Sequence, residues 1–477
     1  MIKRSSGVLM HVSSLWGDYS VGSFGCEARE WIDFLKESGF SYWQVLPFCL
    51  PDEFNSPYKS FSAFSVNPYF IDLPTLCEAG LLTREELLAA KQKTPWGCEF
   101  DRLREERMEL LALAASRVRD RAPVERFLEE HPQVALFCRF MAIKASNGGK
   151  EWNEWTQEEP DPKVLWLWQF TQYEVCRQWL ELKKYANERG ISIIGDIPIY
   201  VAYDSSDVWA NQELFKLNKA RRPSSVAGVP PDYFCEDGQL WGNPLYDWKR
   251  MKQDGYAWWR ERMSFMLELF DGVRIDHFRG LESYFSIPAK EKTARNGVWK
   301  KGPGMSLIKA LRPLCEEKLI IAEDLGDITP AVRELVEKSG FPGMRVLQFA
   351  FLGDDGSPHL PHNYDNHCIA YTGTHDNNTL LGYVWDQDDA TRQKIMRYCG
   401  FEGDWDACYD AILRMMMGSH AGLLMLPVQD LLQYGSDTRI NTPGKGDGNW
   451  SYRVTREQLM RVSKEKFYDW NRLYGRR

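Results

Sequence analysis

The sequence predicts an α/β fold, a (β/α)8 barrel with helical and loop insertions between its strands. Three observations lead there. Eight short β-rich runs alternate with helical stretches along the chain, the pattern of a parallel sheet built from successive strand–helix units. Two helical stretches close on a glycine just before the next run, at Gly39 and Gly190, where a residue free to turn left-handed ends a helix. Three acidic residues stand at or just past the ends of separate runs, the end at which barrel enzymes gather their chemistry.

Gly7–His11 (GVLMH) is the first run, and Tyr42–Pro47 (YWQVLP) is the second, after the helix-like Glu27–Ser38. The third, Ile191–Asp196 (ISIIGD), follows a helix predicted over Tyr173–Arg189. Val273–His277 (VRIDH), Leu319–Asp324 (LIIAED), Met344–Phe349 (MRVLQF), Cys368–Tyr371 (CIAY) and Leu423–Pro427 (LLMLP) complete the set. A barrel of typical size allows about 31 residues per strand–helix unit, yet more than 140 separate Pro47 from Ile191. That stretch is too long for one connection, so 48–172 is assigned as a helical insertion. Its helical part is Thr83–Asn147: Thr83 with Glu85 and Glu86 reads as a capped start, and Leu87, Leu88, Leu103 and Leu110–Leu113 keep helical spacing. Residues 203–259, rich in Pro, Gly and aromatics, read as an ordered loop insertion beyond the third strand. No repeat, low-complexity tract or Ser/Gly linker divides the sequence, so 1–477 is expected to be one catalytic domain.

Composition narrows the function. With 59 Lys and Arg against 67 Asp and Glu, the net charge is −8, and no basic block offsets it. That balance opposes a phosphate-binding surface and argues against nucleic acid as a partner. Eleven cysteines, an odd number without a C-x-x-C pair, fit reduced thiols in the cytoplasm better than a disulfide framework. The first seven residues carry charge but no apolar run behind it, unlike a secretory signal. No apolar stretch nears the roughly 20 residues that span a bilayer, so no membrane partner is expected. Aromatics reach 13%, with 19 Trp and 21 Tyr. Most such residues serve packing, but a surplus also suits a ligand with apolar faces and polar edges, as sugars have.

The chemistry is expected from Asp276, Glu323 and Asp376. Asp276 ends Val-Arg-Ile-Asp, where period-2 alternation turns Val273 and Ile275 towards the helices and Arg274 and Asp276 into the barrel. Glu323 ends Leu-Ile-Ile-Ala-Glu in the same manner, and Asp376 lies in TGTHDNNT just past Cys368–Tyr371. Any one of them could simply pair with an arginine or cap a helix. Three carboxyls in one mouth repel one another unless the site uses them. Retaining glycosidic chemistry needs an ionised carboxylate to attack the anomeric carbon and a protonated one to assist the leaving oxygen. Arg274 would hold Asp276 ionised, and a third carboxylate can bind sugar hydroxyls.

At these motifs the sequence closely resembles glycoside hydrolase family 77, the 4-α-glucanotransferases known as amylomaltase or disproportionating enzyme. The resemblance runs nearly end to end. It includes Arg4–Leu15 (RSSGVLMHVSSL), Ser56–Phe64 (SPYKSFSAF), Gly195–Ala202 (GDIPIYVA), Val226–Phe234 (VAGVPPDYF), Gln239–Trp248 (QLWGNPLYDW), Arg274–Gly280 (RIDHFRG), Ala322–Gly326 (AEDLG), Gly373–Thr379 (GTHDNNT) and Gly448–Arg453 (GNWSYR). It implies a retaining double displacement with Asp276 as nucleophile, Glu323 as acid/base and Asp376 as the group that binds and distorts the donor sugar. It further implies substrate contacts from Ser56, Tyr58, Asp196, Trp241, Arg274, His277, His375 and Asn441. Asp232, Tyr233 and Phe234 match a segment covering the acceptor side. The implied substrates are α-1,4-glucans and maltooligosaccharides, with glucose as an acceptor. No cofactor is implied, because the chain's own carboxyls supply the chemistry.

Two rivals remain: a plain α-1,4-glucan hydrolase, which shares the covalent intermediate, and a catalytically silent glucan-binding protein. Two motifs take bland readings. His359, His362 and His367 lie in one Pro- and Asn-containing loop that supplies no obvious carboxylate or Cys partners for a metal. Gly444–Gly448 (GKGDG) lacks the spacing of a phosphate-binding loop.

Overall fold

In the computed structural model, which describes residues 2–231, 236–353 and 355–477, twelve strands are found among those residues. They are β1 (Ser5–Leu9), β2 (Tyr42–Gln44), β3 (Ser192–Ile197), β4 (Ser225–Val229), β5 (Gln239–Pro244), β6 (Gly272–Ile275), β7 (Ser283–Pro288), β8 (Val298–Lys301), β9 (Leu319–Ala322), β10 (Gly343–Val346), β11 (Cys368–Tyr371) and β12 (Leu423–Pro427). Eight of them close a parallel barrel in the order β1-β12-β11-β10-β9-β6-β3-β2. These are the eight predicted runs. Several predicted runs overshoot, because the chain leaves the barrel sooner: His277 turns left-handed at φ 49° after β6, and Leu347–Phe349 coils into a 3-10 turn after β10.

The barrel interior is packed, not hollow. Ile194, Ile321, Met344, Ile369, Leu423 and Met425, each from an alternate position of its strand, form one fully buried cluster. Tyr371 donates to Gln44 Oε1 at 2.9 Å and so joins two strands that are not neighbours in the barrel. Each such buried aliphatic side chain contributes roughly 1.5–3 kcal/mol. Gly7 leaves the space that this packing needs: a Cβ there would stand 2.6 Å from Tyr42 Cβ and 2.8 Å from Met425 Sδ.

The insertion between β2 and β3 is helical. Thr83 and Glu86 form a reciprocal capping box at the start of Arg84–Ala89. Further on, Pro132–Ser146 packs on the 27-residue helix Pro162–Glu188. That helix begins eleven residues before the predicted Tyr173, so position 172 falls inside it. Asp161 caps it by accepting from Lys163 N and Val164 N, and Pro162 occupies its first turn. Trp166, Trp168 and Phe170, modest helix formers on their own, are buried there by tertiary packing.

The segment 203–259 is more than loop. Its β4 pairs with β5 on one side and β7 on the other, in an antiparallel sheet ordered β5-β4-β7-β8. Short, interrupted strands left this sheet invisible to periodicity. Among the described residues, no helix is long and apolar enough to cross a membrane, and no disulfide is present.

Two arginines stitch the base of the barrel. Arg476, wholly buried, donates to Ser5 O at 2.9 Å, Ala421 O at 3.1 Å and Met417 O at 2.7 Å. Arg4 donates to Ser419 O at 2.7 Å and Tyr474 O at 2.8 Å. Backbone carbonyls at the start of β1 and ahead of β12 thereby gain charge-assisted partners.

Candidate active site

Asp196 on β3 and Arg274 on β6 are register partners across adjacent strands. Their alternation turns both into the barrel mouth, as predicted for Arg274. Arg274 Nη1 donates to both Asp196 oxygens, at 2.9 and 2.7 Å, and Nη2 donates to Asp276 Oδ1 at 2.8 Å. Tyr58 adds a hydrogen bond to Asp196 Oδ2 at 2.7 Å. Burial acts to lower Arg274, but Asp196 and Asp276 outweigh it and raise the guanidinium well above its ordinary value. Asp276, just past the end of β6, keeps 27% of its side chain exposed, against 0% for Asp196. The outer carboxylate is the one that can meet a ligand.

Glu323 follows β9 and points back over the end of β6. Its Oε2 accepts from His277 N at 2.7 Å and its Oε1 from Leu325 N at 2.8 Å. Backbone ties reinforce the junction: Glu323 N donates to Ile275 O, and Phe278 N donates to Glu323 O, both at 3.1 Å. The Glu323 carboxyl is thus fixed to the peptide directly after Asp276. Burial raises it to about 7, with Arg274 opposing and Asp276 adding to the rise. His277 is left-handed, an uncommon conformation outside glycine, and carries the N–H that Glu323 accepts. Its side chain is half-buried, and desolvation lowers the imidazole to about 4, so it is neutral near pH 7. His277 Nε2 has no hydrogen-bond partner among the described residues.

Asp376 stands on the loop after β11. Asn441 Nδ2 donates to its Oδ1 at 2.6 Å, and His375 Nε2 lies 3.4 Å from the same oxygen. His375 stacks on Tyr58, with ring centroids 5.1 Å apart and planes inclined by 14°. The Ser56 hydroxyl accepts from Tyr58 N at 3.3 Å. Trp241 on β5 meets the His277 ring edge to face at 4.9 Å. One connected wall therefore runs Asn441–Asp376–His375–Tyr58–Asp196–Arg274–Asp276, with Glu323, His277 and Trp241 joined at its far end. Asp232, Tyr233 and Phe234 lie outside the described residues.

Two residues of this wall were not singled out from the sequence. Trp450 packs on Tyr58 at 5.9 Å and on His375 at 5.9 Å; its GNWSYR motif was the available signal. Arg439 donates to the main-chain oxygens of Asp376 and Asn441, and its place two residues before Asn441 was the clue. The three loop histidines have separate employments. His359 Nδ1 accepts from Val346 N at 3.1 Å, His362 bonds the Tyr398 hydroxyl at 2.7 Å, and His367 bonds Gly340 O at 3.0 Å. Among the described residues, no group of His, Cys, Asp or Glu is arranged to hold a metal ion.

Residues 10–459 match the profile of glycoside hydrolase family 77, described as 4-alpha-glucanotransferase. The chain belongs to that family. The 4-alpha-glucanotransferase of Streptococcus pneumoniae is 43% identical over 497 aligned residues, covering 100% of this chain and 98% of that protein. That of Thermus thermophilus is 42% identical over 96% of both. Among solved structures, the amylomaltase of Streptococcus agalactiae in complex with acarbose superposes with a TM-score of 0.95 at 36% identity, covering 99% of this chain and 100% of that one. For a family 77 chain with these relatives, transfer is favoured over the hydrolase and silent-binder readings.

Proposed function

We propose that this family 77 enzyme moves a segment of an α-1,4-glucan to the 4-hydroxyl of an acceptor sugar by a retaining double displacement. The observation that carries the proposal is the junction of Asp276 and Glu323: one bonded to an arginine, the other buried, poised near 7 and hydrogen-bonded to the next peptide. In the first step the Asp276 carboxylate bonds to the anomeric carbon as the C1–O bond breaks. The Glu323 proton goes to the departing 4-oxygen. In the second step Glu323 takes the proton of an incoming 4-hydroxyl, whose oxygen displaces Asp276 and restores the α configuration.

Asp376, with His375 and Asn441, is assigned to the donor sugar's hydroxyls, where hydrogen bonds that tighten as the ring distorts lower the barrier. Tyr58 and Trp450 supply an aromatic wall on that side. The unpartnered, neutral His277 Nε2 suits a hydroxyl contact. Trp241 is assigned to the acceptor groove, with Asp232, Tyr233 and Phe234 proposed as its cover. Glucose is proposed as the smallest acceptor, and the cysteine usage supports a cytoplasmic location. The deciding experiment incubates the enzyme with maltotriose. Longer oligosaccharides plus glucose support transfer; only shorter sugars would return the hydrolase reading.

A further inference from the structure

We propose that Asp430 is a positioning residue for this reaction, its carboxylate fixing both ends of the loop that carries His375 and Asp376. The proposal rests on the donor-side role assigned to those two residues.

Asp430 lies on the short helix Val428–Leu432, directly after β12 and wholly buried. Its Oδ2 accepts from the Thr372 hydroxyl at 2.5 Å, and its Oδ1 accepts from Leu380 N at 2.9 Å. Thr372 is the first residue after β11, and Leu380 opens the helix Leu380–Asp386. The loop between them presents His375 and Asp376. One carboxylate therefore clamps the point where the loop leaves the barrel and the point where it re-enters regular structure.

No ion pair to Asp430 is found among the described residues. An uncompensated buried carboxylate is costly, and a hydrophobic side chain of similar size would fill the space without that cost. What an apolar residue cannot supply is two acceptors facing two fixed donors. The Tyr409 hydroxyl donates to Asp430 O at 2.8 Å and holds the helix itself in place. The remaining bonds of the loop are internal or reach other segments: Thr374 and Asn377 bond each other, and Gln348 Nε2 donates to Asn378 O at 2.6 Å. Asp430 is the link that references the loop to the barrel at both ends. A displacement of about 1 Å in a reacting group can cost on the order of 100-fold in rate, so loosening this clamp should act on turnover.

The test compares Asp430→Asn and Thr372→Val with the parent enzyme in steady-state maltotriose disproportionation, with circular dichroism and thermal melting on the same samples. The expected result is a fall in kcat of about tenfold or more with KM changed less than about threefold, while the fold is retained. Thr372→Ser, which keeps the hydroxyl, should recover most of the rate lost in Thr372→Val. If Asp430→Asn does not fold, the Thr372 pair still decides. Folded variants with kcat within about twofold of the parent overturn the proposal, as does a Thr372→Ser no better than Thr372→Val. Asp376→Asn is assayed alongside. If it keeps the parent's rate, the donor-side assignment itself has failed; if it is inactive while Asp430→Asn is fully active, only the clamp has failed.

Discussion

Asp196 and Asp276, at the ends of neighbouring strands, are held by the two terminal nitrogens of one arginine. Arg274 spends two hydrogen bonds on the buried Asp196 and one, at 2.8 Å, on the more exposed Asp276. The inner carboxylate fixes the guanidinium in direction, which leaves Nη2 turned to Asp276. Electrostatic support for the proposed nucleophile is built before any sugar arrives.

Removing that arginine should therefore hurt stability and turnover together. Arg274→Ala leaves Asp196 buried without its cation, a loss on the order of 3–5 kcal/mol, read as a lowered urea midpoint. Arg274→Lys keeps the charge but not the two-sided fork. It should unfold less readily than Arg274→Ala, yet lose about 100-fold or more in kcat/KM. An Arg274→Lys enzyme as active as the parent would contradict the bridging role.

As the proposed acid/base, Glu323 should set the pH dependence. Donor cleavage needs its carboxyl protonated, so kcat/KM should decline as pH rises through about 7. The sign for stability follows from the same shift. The folded value lies above the ordinary 4.5, so the cost of ionising Glu323 in the fold is absent below about 4.5 and complete above about 7. Glu323→Gln should then gain thermal stability relative to the parent as pH climbs through that window. It should lose about 1,000-fold or more in glucan cleavage and show no alkaline limb near 7. A stability difference that does not change with pH would count against the buried-acid account.

Asn441 should matter through Asp376. Its amide holds Asp376 Oδ1 at 2.6 Å. Asn441→Ala frees that carboxylate to swing, with an expected loss of about tenfold in kcat and little change in melting temperature. Asn441→Asp puts a like charge against it and should be worse than Asn441→Ala. Equal rates for the two variants would mean that the contact is incidental.

Trp241 bears on what resolves the intermediate. Its ring meets the His277 ring at 4.9 Å. Trp241→Ala should lower the ratio of transferred to hydrolysed product from maltotriose more than it lowers total donor consumption. An unchanged ratio would remove Trp241 from the acceptor groove.

The barrel strands were legible because each is a short, nearly pure apolar run with a period-2 interior: Ile194, Ile321 and Met425 announce themselves. Arg274 and Asp276 were legible for the same reason, as polar positions in register with an apolar pair. The Asp196–Arg274 pairing was not, since strand register between β3 and β6 is set by closure of the whole barrel and not by either strand alone. The β5-β4-β7-β8 sheet escaped because Gly228, Gly242 and the prolines break its alternation. The start of Pro162–Glu188 escaped because its tryptophans favour helix only once packed. Trp450 and Arg439 reach the site from a segment whose local pattern is that of a turn.

The barrel's seam has a consequence for how the polypeptide is made. β1 needs β12 as its second neighbour, and Arg476 reaches back to Ser5 to secure the join. While a ribosome is still translating, the early strands can assemble only as an incomplete sheet with bare edges, the form most open to stray association. Closure must await synthesis of β12, so a chain stalled just short of β12 would hold all three proposed catalytic carboxylates and still have no finished barrel around them.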